Sequence, residues 1–175
     1  MKSIGNPGNS RPVRLAVGFL VTSLAACAGQ PLPTQPSAAA AGAAVAVSLE
    51  AEVGSGDGQV RERSRASGGR TVHLGPGERR LWTFDIGAAP RSYVLSVTYS
   101  NGREGENEVV SVTVDGALVS SILNRDSGDS IEGWNMFVTD PVGTSMLGSR
   151  SHTLMLDVRG GDGCVEIDRV TLSPR

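Results

Sequence analysis

The sequence predicts an all-β domain built as a sandwich, and three observations carry that expectation. Apolar residues recur with period two from residue 47 onward, and no long stretch repeats with a helical period. Short β-rich runs are separated by clusters of Gly, Pro, Asn and Asp, the spacing of two packed antiparallel sheets. Glycine is abundant, at 23 of 175 residues, which favours tight turns over helices as connections.

The chain opens with residues 1–27, which read as an export signal. Lys2, Arg11 and Arg14 give a basic start, and Leu15 to Ala26 is an apolar run too short for a permanent membrane span. It ends in Leu24-Ala25-Ala26-Cys27, the pattern of a bacterial lipobox, in which the cysteine is lipidated and becomes the N-terminus. The competing expectation is ordinary cleavage at the small residues around Ala26-Cys27-Ala28. Residues 28–46 follow with Pro31, Pro33, Pro36 and an alanine-rich run. Such a composition builds no core and reads as an extended or mobile tether. Residues 47–175 remain as one domain, large enough for a single sandwich core.

Within that domain the elements follow in order. Leu49-Glu50-Ala51-Glu52 opens it as a strand. Leu81 to Ile86 alternates, with Trp82, Phe84 and Ile86 on one face. Tyr93, Leu95, Val97 and Tyr99 share a face, with Ser96, Thr98 and Ser100 opposite. Val110, Val112 and Val114 run into Asp115-Gly116, a hairpin signal before the strand Ala117 to Ile122. Thr153 to Val158 and Val165 to Leu172 supply two further strands. Cys164, at the start of the last, reads as a small buried hydrophobe.

Charge and residue inventory exclude several functions. Without residues 1–27 the chain carries 13 basic and 18 acidic residues, a net −5, which argues against a nucleic-acid surface. Arg61, Arg63, Arg65 and Arg70 cluster, but Glu62 interrupts them and turn residues flank them, so they read as a solvated loop. No Gly-x-Ser-x-Gly elbow and no phosphate-cradling loop is present. A glycosidase needs two facing carboxylates, and sequence cannot pair the many candidates. The residues therefore predict no enzyme. Cys and His are too few and scattered for zinc. The Gly-Asp-Gly sites at Asp57 and Asp162 read as plain turns.

Glu50 and Glu52 stand two apart, so on a strand their carboxylates leave the same face about 7 Å apart and repel unless a cation intervenes. Asp168, brought in by a neighbouring C-terminal strand, would complete a hard oxygen site suited to calcium. The alternative is a pair of solvated strand residues.

Five pieces in order carry a resemblance: Leu49 to Glu52, Ala66 to Gly69, Ser92 to Gly102, Gly133-Trp134-Asn135-Met136-Phe137, and Gly160 to Leu172. Together they make residues 48–175 similar to the carbohydrate-binding modules of families 6 and 35. That resemblance implies a jelly-roll sandwich of about nine to ten strands. It implies a structural calcium at Glu50, Glu52 and Asp168, helped by carbonyls near Ser67 to Arg70. It also implies a sugar cleft at one end of the sandwich, lined by Tyr99, Asn101, Trp134 and Glu166. Trp134 and Phe137 match the family's two aromatics, although one is Phe here. Glu166 stands where the family often has Asn, and Val72-His73-Leu74 stands where an early aromatic is expected. Trp134 can equally be a core residue.

Two functions remain open. In the first, a lipid-anchored module at the bacterial envelope, in the outer membrane or at the cell surface, binds polysaccharide or cell-wall glycan. The second is a structural or assembly lipoprotein using the same sandwich to hold a protein partner.

Overall fold

In the computed structural model, which describes residues 44–175 apart from 88, 103–106, 129 and 162, the last strand of the chain holds the first. The export signal, Cys27, the tether as far as residue 43 and Asp162 lie outside the described residues. Eleven strands are described: β1 (Val47–Glu50), β2 (Ser55–Gly56), β3 (Gln59–Glu62), β4 (Arg70–Leu74), β5 (Arg79–Asp85), β6 (Arg91–Asn101), β7 (Val109–Val114), β8 (Ala117–Leu123), β9 (Val138–Leu147), β10 (Ser151–Val158) and β11 (Val165–Pro174). One helical turn, α1 (Ser130–Gly133), lies between β8 and β9.

The strands form two antiparallel sheets. One runs β3-β4-β11-β6-β9, with β1 also on β11; the other runs β2-β5-β10-β7-β8. The alternation expected for β5, β6 and β7 is present, and their inner faces make the core together with that of β10. Tyr93, Leu95, Val97 and Tyr99 face inward from β6, Trp82 and Phe84 from β5, Val110 and Val112 from β7, and Leu154 and Leu156 from β10. Each fully buried aliphatic side chain contributes about 1.5–3 kcal/mol. The hairpin at Asp115-Gly116 has positive φ at both residues (51° and 79°), as a two-residue turn matching strand twist requires.

β11 has two successive neighbours along one side. Val165 to Ile167 pair with β4, and Arg169 to Leu172 pair with β1, with Glu50 opposite Arg169. Asp168 falls at the change-over, where the register with β6 also shifts between Ile167 and Arg169. The opening and closing segments are therefore adjacent, as expected from the sequence.

Three local expectations are corrected. Glu50 and Glu52 do not share a strand: β1 ends at Glu50, and Ala51–Val53 forms a 3₁₀ turn that buries Ala51. The Arg61 to Arg70 segment is not wholly a loop, because Arg61 lies in β3 and Arg70 opens β4, leaving 63–69 as the connection. Cys164 is half-exposed rather than buried; it precedes β11 and lines a surface concavity with Gln59, Arg61, His73 and Glu78. Burial, then the carboxylates of Glu108 and Glu78, push its thiol pKa up.

Candidate functional site

Two neighbourhoods hold Glu50, Glu52 and Asp168 on one side and Trp134 and Glu166 on the other, and the segment 63–69 touches both. The first is the seam where β11 changes partner. The Ser67 amide donates to Asp168 Oδ1 at 2.8 Å. The Ser67 hydroxyl lies within hydrogen-bond reach of that same oxygen, at 2.8 Å, and of Glu50 Oε2. One hydroxyl proton cannot serve two carboxylates at once. The Ser48 hydroxyl donates to Glu50 Oε1 at 3.0 Å.

Glu52 reaches the same spot from the 3₁₀ turn. Its Oε1 would lie 2.5 Å from a Cβ built on Gly68, so a side chain there would push the Glu52 carboxylate aside. Its Oε2 is buried without a hydrogen-bond partner. Nearby cations do little for these charges. Arg169 Nε stands 4.0 Å from Asp168 Oδ2. Arg80 is turned to main-chain oxygens, donating to Ala51 at 3.0 Å and Glu52 at 3.3 Å. Burial lowers the Arg80 pKa, against the pull of Asp57 and Glu52.

Glu50, Glu52 and Asp168 thus surround Ser67-Gly68 with a deficit of donors. Among the described residues no three His, Cys, Asp or Glu side chains form a ready-made metal cluster; Ser67 stands between Glu50 and Asp168 instead. The donor set is hard oxygen, and the orphaned Glu52 oxygen is the kind of group a divalent ion relieves.

The second neighbourhood is built on Glu166. Its carboxylate is almost fully buried and takes a fork from Arg63, Nε to Oε2 at 2.7 Å and a terminal guanidinium nitrogen to Oε1 at 2.5 Å. The Thr71 hydroxyl donates to Oε2 at 2.8 Å, and His73 Nδ1 stands 3.5 Å from Oε1. Burial alone would raise the carboxyl's pKa; His73, Arg63 and Thr71 outweigh it and hold Glu166 below the usual carboxylate range. The same pair raises the Arg63 pKa, chiefly through the hydrogen bond.

Trp134 stands beside this pair, half-buried. The His73 ring approaches it at 5.6 Å between centroids, tilted by 58°. Gly102 backs it so closely that an added Cβ would sit 3.1 Å from Trp134 Cζ2. The helical turn α1 sets its position, with Asn135 and Met136 amides donating to Glu132 and Gly133 carbonyls at 3.0 and 3.1 Å. The next residue, Asn135, accepts from the Arg65 amide at 3.0 Å and donates to the Ser64 hydroxyl at 2.9 Å. Glu62, Arg63, Ser64, Gly69 and Asn135 line a concavity of about 620 Å³. That is the size range of small-ligand clefts.

The other expected ligand residues sit inside the fold. Tyr99 is fully buried; its hydroxyl donates to Asp140 Oδ2 at 2.7 Å and accepts from the Arg125 amide at 3.1 Å. Burial, then the Asp140 bond, pushes its pKa up to about 12. Asn101 is buried with its amide donating to Glu108 Oε2 at 2.8 Å and the Asn124 carbonyl at 3.0 Å. Of Tyr99, Asn101, Trp134 and Glu166, the structure brings Trp134 and Glu166 together through His73, and engages Tyr99 and Asn101 elsewhere.

Sequence reasoning missed Arg63, Ser64 and Asn135 as site residues, and it placed Ser67 at the seam through main-chain carbonyls rather than through the amide and hydroxyl that face Asp168. Asn135 was visible beside Trp134. Arg63 carried no local signal, since its partner lies 103 residues away.

No family model and no curated protein matches the sequence. The fold is that of the family 35 carbohydrate-binding modules. A family 35 module from Clostridium thermocellum superposes with a TM-score of 0.62 at 20% identity, covering 73% of this chain and 97% of the module. Two longer enzymes contain a similar unit. An exo-β-1,3-galactanase from Phanerochaete chrysosporium matches at TM-score 0.59 and 23% identity, over 73% of this chain and 29% of its own. A GH26-CBM35 β-(1,4)-mannanase from Podospora anserina matches at TM-score 0.60 and 19% identity, over 74% and 28%. The chain thus spans less than a third of each enzyme's length.

Proposed function

We propose that this protein is a non-catalytic carbohydrate-binding module, stabilised by calcium and held at the bacterial envelope by a lipid on Cys27. The observation that carries the sugar reading is the concavity lined by Glu62, Arg63, Ser64, Gly69 and Asn135, the last of which follows the half-buried Trp134 in the chain. An indole ring offers a flat apolar surface to a pyranose, worth about 0.5–1.5 kcal/mol beyond area burial. Asn135 and Ser64 offer both donor and acceptor groups to hydroxyls. Glu166 adds no free negative charge, because Arg63 neutralises it within a bidentate pair. The exposed Glu62 also lines the concavity, so the charge of the cleft does not by itself select between neutral and amino sugars.

Glu50, Glu52 and Asp168 would hold the calcium. Bound there, the ion supplies positive charge to three crowded carboxylates and ties β1 to β11. The anchor places the module in the outer membrane or at the cell surface, with polysaccharide or cell-wall glycan as its partner. Cys27→Ser is expected to abolish palmitate labelling and membrane fractionation; unchanged fractionation would remove the lipid from this reading.

A second reading is favoured by one observation. Tyr99, Asn101 and Glu166 all spend their polar atoms inside the fold, leaving Trp134 as the one expected ligand residue that is half-exposed. A module with so reduced a cleft could serve as a structural lipoprotein that holds a protein partner. A glycan array covering plant, microbial and host sugars separates the two. Binding to a defined class supports the first reading, and silence across the array supports the second.

A further inference from the structure

The connection 63–69 is a closed unit with a foot in each neighbourhood. The Arg63 amide donates to the Gly69 carbonyl at 2.9 Å, Ala66 to Arg63 at 3.1 Å, and Gly69 to Ala66 at 3.1 Å. Ala66 is buried beneath it. One strand pins both ends: Glu166 of β11 holds Arg63, and Asp168, two residues on, holds Ser67 through its amide and hydroxyl. Between these anchors, the Arg65 amide and the Ser64 hydroxyl hold the two ends of the Asn135 side-chain amide. The strap therefore contacts the acidic seam with Ser67-Gly68 and the concavity with Ser64-Arg65.

A segment closed on itself by three backbone bonds does not flex freely between its ends. A displacement of Ser67 must be taken up by the strap as a body or by breaking one of those bonds. Ser67 is also the group most exposed to change at the seam. Its single hydroxyl proton faces two carboxylates, so any cation that takes over Glu50 or Asp168 alters what Ser67 can bond.

We propose that Ser67 is a positioning residue for the cleft, through which the strap 63–69 couples the state of the Glu50–Asp168 seam to the placement of Asn135. The inference rests on the calcium and sugar readings above for its biological sense. The coupling itself belongs to the strap and is testable without either ligand's identity. Since such coupling is reciprocal, whatever orders Asn135 from the cleft also changes cation affinity at the seam by the same factor.

The test is nuclear magnetic resonance of the full ¹⁵N-labelled chain, titrated with calcium chloride and reversed with chelator. The Ser67 amide, the Arg65 amide and the Asn135 side-chain amide pair should shift together with one midpoint. The Thr153 amide, held by Asp115 in the other sheet, should stay still. In metal-free protein, Ser67→Ala should move the Arg65 and Asn135 resonances, and Ser67→Thr should restore them. A Ser67 amide that responds to calcium while Arg65 and Asn135 do not overturns the coupling. If no resonance responds to calcium, the calcium reading fails by itself. The strap is then judged on Ser67→Ala, and unmoved Asn135 resonances in that variant overturn it.

Discussion

Replacing Glu166 with Gln keeps the shape of the side chain and removes its charge. Wild-type Glu166 accepts the Arg63 fork and the Thr71 hydroxyl. Gln retains one acceptor oxygen and turns an amide toward a partner that also donates. One charge-assisted bond is lost, worth about 1.5–3 kcal/mol. Arg63 has 27% of its side chain exposed and can recover water, which places the loss at about 2 kcal/mol, below the cost of stranding a fully buried charge. For a domain of about 130 residues that is a fall in Tm of about 6–10 °C. Acid changes the comparison. The folded Glu166 carboxyl lies below its ordinary value. Its contribution to stability is therefore complete above the unfolded pKa of about 4.3 and is lost as pH falls through the lower folded value. The Gln variant takes up no such proton, so its Tm deficit should shrink in acid. Calorimetric melts from pH 7 to pH 2 read both effects. A deficit within about 1 °C at pH 7, or one that stays constant into acid, would refute the assignment of Glu166 as a neutralised structural anchor.

Three further outcomes follow from the same geometry. Tyr99→Phe removes a hydroxyl bonded to Asp140 and to the Arg125 amide, and should cost about 0.5–1.5 kcal/mol in urea melts while leaving glycan retention intact. Loss of retention in a normally folded variant would return Tyr99 to the cleft. Gly102→Ala sets a methyl 3.1 Å from the Trp134 ring, so indole fluorescence should shift and stability should fall by about 1–3 kcal/mol, whereas an unchanged spectrum would mean that Gly102 does not seat the ring. Chelation should lower Tm, and calcium at a hundredfold excess over its Kd should restore about 2.7 kcal/mol. Glu50→Ala should abolish that difference, and a chelator-insensitive wild-type melt removes calcium from the account.

Much of the sandwich was legible because period-two alternation is local. β5, β6 and β7 each bury the face their spacing indicates, and Asp115-Gly116 makes the hairpin it signals. The same alternation already set Tyr99 with Leu95 and Val97. Its place in the core was readable from β6 alone, and the family likeness that pointed it to a cleft gave way to packing. Other features were not local. Nothing in Leu49 to Glu52 indicates that the strand stops at Glu50; the 3₁₀ turn is imposed by burial of Ala51 and by Arg80 holding its carbonyl from 29 residues away. Alternation also fails along Val165 to Asp168, where all four residues are buried. There the strap 63–69, reaching across from over a hundred residues earlier in the chain, bonds Glu166 and Asp168. Charged residues at buried strand positions make sense only once that cover is known, which is why Arg63 and the Ser67 side chain escaped notice.

Affinity electrophoresis of the full chain through gels carrying a panel of polysaccharides tests the central claim most directly. The account predicts retardation in at least one polysaccharide and its loss in Trp134→Ala, with the melting temperature of the variant otherwise preserved. Equal mobility in every gel, or retardation that survives removal of the Trp134 ring, contradicts it.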